Sequence, residues 1–187
     1  MKVQNEFEVA EPRAAVWELL MDVPRVVPCV PGAELVETLA DDRWRADLSV
    51  ALGPVTMTFD AAITREEVDE AGGRVRLVVA AREKHGRGAA TAEVESTLAQ
   101  AGESTRVTVI TNLRLQGAVA RVGRSEIVED VSQQMTDAFA ACLKATLTNN
   151  SGGRDSPAPA APKLRITFRG LLLGLLRRLR RGRSPER

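Results

Sequence analysis

Gly117 to Leu147 is a proline-free stretch in which Val119, Val122, Val128, Val131, Met135, Ala138, Phe139, Cys142 and Leu143 recur at steps of three and four. That spacing predicts one long amphipathic helix. Arg121, Arg124, Glu129, Asp130, Gln133, Asp137 and Lys144 fall largely on its other side. Gly117 marks the joint with the preceding segment, and Asn149 to Gly153 close the helix. A long helix with one apolar face must be buried against something, and the chain before it has to supply that surface.

What precedes it is a series of strands. Met1 to Val9 alternates apolar and polar residues. Ala10-Glu11-Pro12 opens a helix, with proline suited to a first helical position and Ala14, Ala15, Val16, Trp17, Leu19 and Leu20 as its apolar stripe. Pro24, Pro28 and Pro31 then leave room for one short helical turn before Pro31-Gly32 bends the chain. Strands are expected over residues 33–39, 43–52, 55–64, 75–81, 90–98 and 107–115. Turns at Asp41-Asp42, Gly53-Pro54, Ala71-Gly72-Gly73, His85-Gly86-Arg87-Gly88 and Ala101 to Ser104 separate them. One face of such a sheet alternates apolar and needs a cover, and the long helix is the element able to provide it. The expected fold class is α+β: a curved antiparallel sheet of about seven strands wrapped around a long C-terminal helix.

Small residues fall on the inward face: Ala46, Ala61, Ala81, Ala90, Ala92 and Ser96. Aromatics are 3% of the chain and tyrosine is absent. With few large groups to fill the middle, two outcomes stand open. Either the helix approaches closely over the alanines, or the sheet and helix enclose an apolar pocket. The expected lining is Leu48, Val50, Met57, Phe59, Leu77, Val79, Val109, Leu113, Val128 and Met135, with Val30, Pro31 and Gly32 at the mouth. The Pro28–Gly32 bend reads equally as a plain turn or as a gate.

No catalytic constellation is expected. His85, the only histidine, sits in a turn beside Lys84 and Arg87, which reads as a solvated position. No paired-cysteine or second-histidine spacing would hold a metal. Gly86-Arg87-Gly88 lacks the strand–loop–helix context of a dinucleotide site. Glu66, Glu67, Asp69 and Glu70 read as a solvated loop. Cys29 and Cys142 read as buried small hydrophobes, not as a disulfide framework. Met1 to Ala10 carries Glu6 and Glu8 and does not read as a signal peptide, so an intracellular domain is expected.

Charge divides the chain. Residues 1–150 hold 16 Lys and Arg against 23 Asp and Glu. Lys163, Arg165, Arg169, Arg177, Arg178, Arg180, Arg181, Arg183 and Arg187 then face Glu186 alone, so the tail needs an acidic partner. Residues 149–162 read as a flexible Ala/Pro/Gly linker. On a helix over 163–187, Leu164, Phe168, Leu171, Leu172, Leu175, Leu176 and Leu179 form an apolar arc. Lys163, Arg169, Arg177, Arg178, Arg180 and Arg181 take most of the remainder. Ile166 and Leu173 stray from that arc. The uncharged run Gly170 to Leu176 is far short of the ~20 residues a span requires. This segment is therefore expected to lie on an anionic membrane surface. A leucine face has no use in phosphate binding, so no nucleic-acid partner is expected; a protein groove is the competing partner.

Particular stretches carry a family resemblance. They are Pro12-Arg13-Ala14-Ala15-Val16-Trp17 with Leu20 and Asp22; Cys29-Val30-Pro31-Gly32-Ala33-Glu34; Leu52-Gly53-Pro54-Val55 with Phe59; Gly86-Arg87-Gly88-Ala89; and Leu115-Gln116-Gly117 with Ala120 and Gly123. In these the chain resembles the carbon monoxide dehydrogenase G-subunit family, within the START-like, Bet v 1-like helix-grip superfamily. Glu83-Lys84-His85-Gly86 departs from the smaller, glycine-richer turn such proteins more often carry. The resemblance implies a helix-grip domain over residues 1–148 with a hydrophobic cavity. It also implies association with a molybdenum hydroxylase of the carbon monoxide dehydrogenase type. The expected function is that of a non-enzymatic, membrane-associated accessory protein without a cofactor of its own. It would bind a hydrophobic small molecule, a quinone such as menaquinone, and link the enzyme to the membrane quinone pool from the cytoplasmic face. A ligand-free tether or assembly factor is the alternative, and a small hydrolase or cyclase of the superfamily a second.

Overall fold

The computed structural model describes residues 1–52, 55–122 and 125–150. Seven strands form one antiparallel sheet: β1 (Lys2–Val9), β2 (Ala33–Ala40), β3 (Arg43–Leu52), β4 (Val55–Asp69), β5 (Arg74–Glu83), β6 (Gly88–Ala101) and β7 (Ser104–Gly117). Their spatial order is β1-β7-β6-β5-β4-β3-β2, so every pairing except that of β1 with β7 joins sequence neighbours. Helices α1 (Arg13–Met21) and α2 (Val23–Val26), then a 3-10 turn (Val27–Cys29), fill the connection from β1 to β2. Helices α3 (Ala118–Val122) and α4 (Ser125–Asn150) follow the sheet. This is a helix-grip fold.

The alternation in β1 sends Val3, Asn5, Phe7 and Val9 inward, where Phe7 meets Val107 and Asn5 meets Val109 of β7. Across the sheet, Ala46, Ala61, Ala81 and Ala90 form one rung of small side chains from β3 to β6. Register shifts between Leu35 and Glu37, Thr38 and Ala40, and Arg65 and Glu67 mark bulges, which sharpen local twist and help the sheet curl. Val16, Trp17 and Leu19 of α1 pack with Val9, Val75, Leu98, Val107, Leu143 and Leu147 in the principal core. Leu143 is fully buried there, worth about 1.5–3 kcal/mol.

Four sequence expectations need correction. First, the cysteines form a disulfide: Cys29 is bonded to Cys142 across 113 residues, with the Cα atoms 5.4 Å apart. Nothing local in the sequence marks a pairing that distant. Second, the linker expected from residue 149 starts inside α4, which runs to Asn150; its remainder and the tail at 163–187 lie outside the described residues. The long helix expected from Gly117 is described as α3 and α4, on either side of residues 123–124. Third, the acidic run is not a loop. Glu66, Glu67 and Asp69 extend β4, and Arg76 and Arg74 of β5 pair with them. Fourth, Pro12 is the residue before α1, in an extended conformation, rather than its first residue.

Two glycines fix the chain path. Gly117 (φ +69°) pairs with Gly88 across β6 and β7, and a Cβ at Gly117 would lie 2.9 Å from the Gly88 Cα. Gly32 (φ +78°) lies against β3, where a Cβ would strike the Ser49 carbonyl; its own carbonyl accepts from Ser49 N–H at 2.8 Å.

Candidate ligand cavity

The concave face of the sheet and the inner face of α4 do not meet in the middle. They enclose a cavity of about 440 Å³. Among the strands, α4 lies principally against β1, and its inner face continues onto α1 and the 3-10 turn. Val119 of α3 packs on Ala61 and Ala81 of the alanine rung, so the close approach is at that end of the sheet and the hollow lies beyond it. Several inward side chains, Leu77, Val79, Val94, Val109 and Leu113 among them, are only half-buried because they border this space. The sheet contributes residues of all seven strands, β2 through Ala33. Val128, Val131, Ser132, Met135, Thr136 and Phe139 come from α4, and Leu20, Val23, Val26, Val27 and Val30 from the β1–β2 connection.

Of the residues expected to line a pocket, Leu48, Leu77, Val79, Val109, Leu113, Val128 and Met135 border the cavity. Val50, Met57 and Phe59 do not. Met57 and Phe59 pack with Ala61, Ala81 and Val119 in a second cluster, and Val50 stands opposite Met57 on β3. Val119 of α3 fills that end of the sheet. At the expected mouth, Val30 borders the cavity, Pro31 is fully buried, and Gly32 is engaged with β3. Sequence reasoning missed Asn5, Phe7, Ser132 and Thr136. The signal for Asn5 and Phe7 is their place as alternate residues of β1, and for Ser132 its position four after Val128.

The lining is nearly uncharged. Asp47 and Arg65 are its ionisable members, and both are engaged elsewhere: Asp47 with Lys84 Nζ at 2.5 Å, Arg65 with Asp42 through Nε at 2.6 Å. Arg65 Nη1 also donates to the Met21 carbonyl at 2.8 Å, and the guanidinium lies 5.3 Å from the Trp44 ring centre. Asn5 Nδ2 donates to Ser132 Oγ at 2.5 Å.

Among the described residues one carboxylate is buried, but outside the lining. Glu83, at the end of β5, has no solvent-exposed side-chain surface. Its Oε2 accepts from the backbone N–H of His85 (2.9 Å) and Arg87 (3.1 Å), and its Oε1 from the Arg87 guanidinium (2.7 Å). His85 Nδ1 lies 3.1 Å from the same Oε1. The Arg87 side chain is the main reason that the Glu83 carboxyl titrates far below the usual range, against the opposing effect of burial. The same bond raises Arg87. His85 is 72% exposed. The cluster staples the β5–β6 turn; its carboxylate is saturated with donors and has no free lone pair aimed at the cavity. Among the described residues no group of three His, Cys, Asp or Glu could hold a metal. No described helix is long and apolar enough to cross a membrane.

A curled sheet gripping a helix around an apolar hollow defines a helix-grip domain of the ligand-cavity type. The family model for the G subunit of carbon monoxide dehydrogenase (CoxG) matches residues 6–148, most of the chain. The protein belongs to that family. Solved structures share the fold. A conserved protein from Geobacillus kaustophilus matches with TM-score 0.71 at 22% identity, covering 80% of this chain and 97% of that one. The Zhui aromatase/cyclase from Streptomyces sp. R1128 matches with TM-score 0.58 at 16% identity, covering 85% and 99%. A START superfamily protein from Mycobacterium smegmatis matches with TM-score 0.56 at 15% identity, covering 80% and 98%. A search of curated proteins returns no match.

Proposed function

We propose that this protein is a non-catalytic accessory subunit of a molybdenum-containing carbon monoxide dehydrogenase. It carries a lipophilic small molecule, a quinone such as menaquinone, and links the enzyme to the membrane quinone pool. The observation behind this reading is the cavity. Its 440 Å³ falls within the roughly 300–1,000 Å³ typical of small-molecule sites. Its wall is almost wholly apolar, and among the described residues no acid–base pair stands free inside it. Such a wall binds chiefly by removing apolar surface from water. A cavity of this size takes a head group and the first part of a chain, leaving the rest to emerge. Family membership supports the enzyme partner. The basic, leucine-rich segment at 163–187 supports a peripheral position on the cytoplasmic face of the membrane.

Native mass spectrometry of the full chain from its own kind of cell, followed by solvent extraction, tests this. A stoichiometric quinone or other lipophile is the expected result. A protein that is empty, and stays empty after incubation with quinones, would overturn the carrier reading in favour of a tether without a ligand.

A further inference from the structure

The cavity wall has one polar seam. Asn5 projects from the inward register of β1 and is 8% exposed. Its partner Ser132 stands on α4, and both border the cavity. Thr136, one turn further along α4, and Thr111, opposite Val3 on β7, border it too. Asn5 also borders a second, polar cleft with Lys2, Gln4, Glu129 and Gln133. The pair therefore stands between the apolar interior and a polar exterior.

A carboxamide offers two N–H donors and a carbonyl acceptor, and a serine hydroxyl both donates and accepts. One Asn5 N–H is given to Ser132 Oγ. The second N–H, the amide carbonyl and the Ser132 hydroxyl hydrogen have no side-chain or backbone partner among the described residues. The Asn5 amide oxygen is not a buried atom left without a partner, so this unspent capacity opens onto the cavity or the polar cleft, where a polar visitor can use it. The charges on the lining point the same way. Arg65 is held by Asp42 and Asp47 by Lys84, so among the described lining residues no free cation is available to pair an ionised head group. An unpaired carboxylate in such surroundings is strongly disfavoured.

We propose that Asn5 and Ser132 form the polar anchor of the cavity, which selects lipophiles headed by an uncharged carbonyl or hydroxyl over those ending in a carboxylate. The inference rests on the reading of the cavity as a ligand site. The anchored head lies at the β1–α4 seam and the chain runs beneath the sheet.

The test uses the full chain and the variants Asn5→Leu and Ser132→Ala, each titrated by equilibrium dialysis with menaquinone-4, oleyl alcohol and oleate, the last fully ionised. Circular dichroism confirms folding; should Asn5→Leu fail to fold, Ser132→Ala carries the comparison. The wild type should bind the two neutral ligands at least about tenfold tighter than oleate, an unpaired buried charge being the difference. Loss of the anchor should weaken the neutral ligands by about five- to tenfold, the effect of one or two hydrogen bonds, and leave oleate within about twofold. Neutral ligands held equally by variants and wild type, or oleate held as tightly as oleyl alcohol, would overturn the anchor while leaving the cavity as a ligand site. If none of the three binds the wild type, the cavity reading falls and the anchor with it.

Discussion

Cys29, at the end of the proline-rich connection, is bonded through its sulfur to Cys142 on α4. The bond ties together two walls of the cavity, since Val26, Val27 and Val30 lie on one side of it and Met135 and Phe139 on the other. Closing a loop of 113 residues stabilises the fold by about 4–5 kcal/mol through the entropy of the unfolded chain. Replacing both cysteines by serine should lower the urea-unfolding free energy by several kcal/mol. Both sulfurs are in the bond, so a thiol reagent should find no sulfhydryl in the native protein; both are buried, so a mild reductant should act only as the chain unfolds.

Leu113→Trp and Phe59→Trp should behave differently, although both residues face inward. Leu113 borders the cavity, so the larger ring occupies ligand space and should abolish most uptake of menaquinone-4 while the fold persists. Phe59 is packed between Met57, Ala61 and Ala81, so the same change overfills a closed cluster. It should cost about 1–3 kcal/mol of stability and leave uptake largely intact. Parallel thermal melts and uptake assays separate the two effects.

Glu83 predicts a pH dependence. Its carboxyl is held well below the ordinary value of 4.5, principally by Arg87. Below that ordinary value the unfolded chain binds the proton more readily than the folded protein. The contribution of Glu83 is therefore present in full above about pH 5 and is lost as pH falls toward the folded value. Urea titrations should show stability declining on acidification in this window. Glu83→Gln should be less stable at neutral pH and should flatten that part of the decline.

Leu143→Ala removes a fully buried side chain from the principal core and should cost about 2–5 kcal/mol in chemical denaturation. Its cluster shares Val75 and Val107 with the cavity wall, so ligand uptake by the residual folded protein should fall as well.

Deleting residues 163–187 should release the protein from anionic vesicles, each lost basic residue near the surface being worth roughly 1 kcal/mol. Co-sedimentation unchanged by the deletion would sink the anchor role of this segment.

Most of the architecture is legible in the alternation of the chain. Period-two patterns separated by glycine, proline and acidic turns specify strands one after another, and sequential hairpins leave little choice of order. Rows such as Leu77, Val79, Val109 and Leu113 can be picked out because their inward facing follows from register alone. Three of the misses depend on contacts between distant residues. Val119 shares the apolar period of α4, and nothing local says that it covers Met57 and Phe59. Cys29 and Cys142 each sit among apolar neighbours, which fits a buried thiol as well as a bond. Asn5 is an ordinary strand residue until Ser132 is seen beside it.

Three packed clusters surround the hollow: one around Leu143, one around Phe59 and one around Trp44. Each also lends side chains to its wall: Val75 and Val107 from the first, Ala61 from the second, and Val23, Val27 and Ala46 from the third. The wall is thus the inner skin of the scaffold itself, and a change in any of these shared side chains alters the room and its supports together.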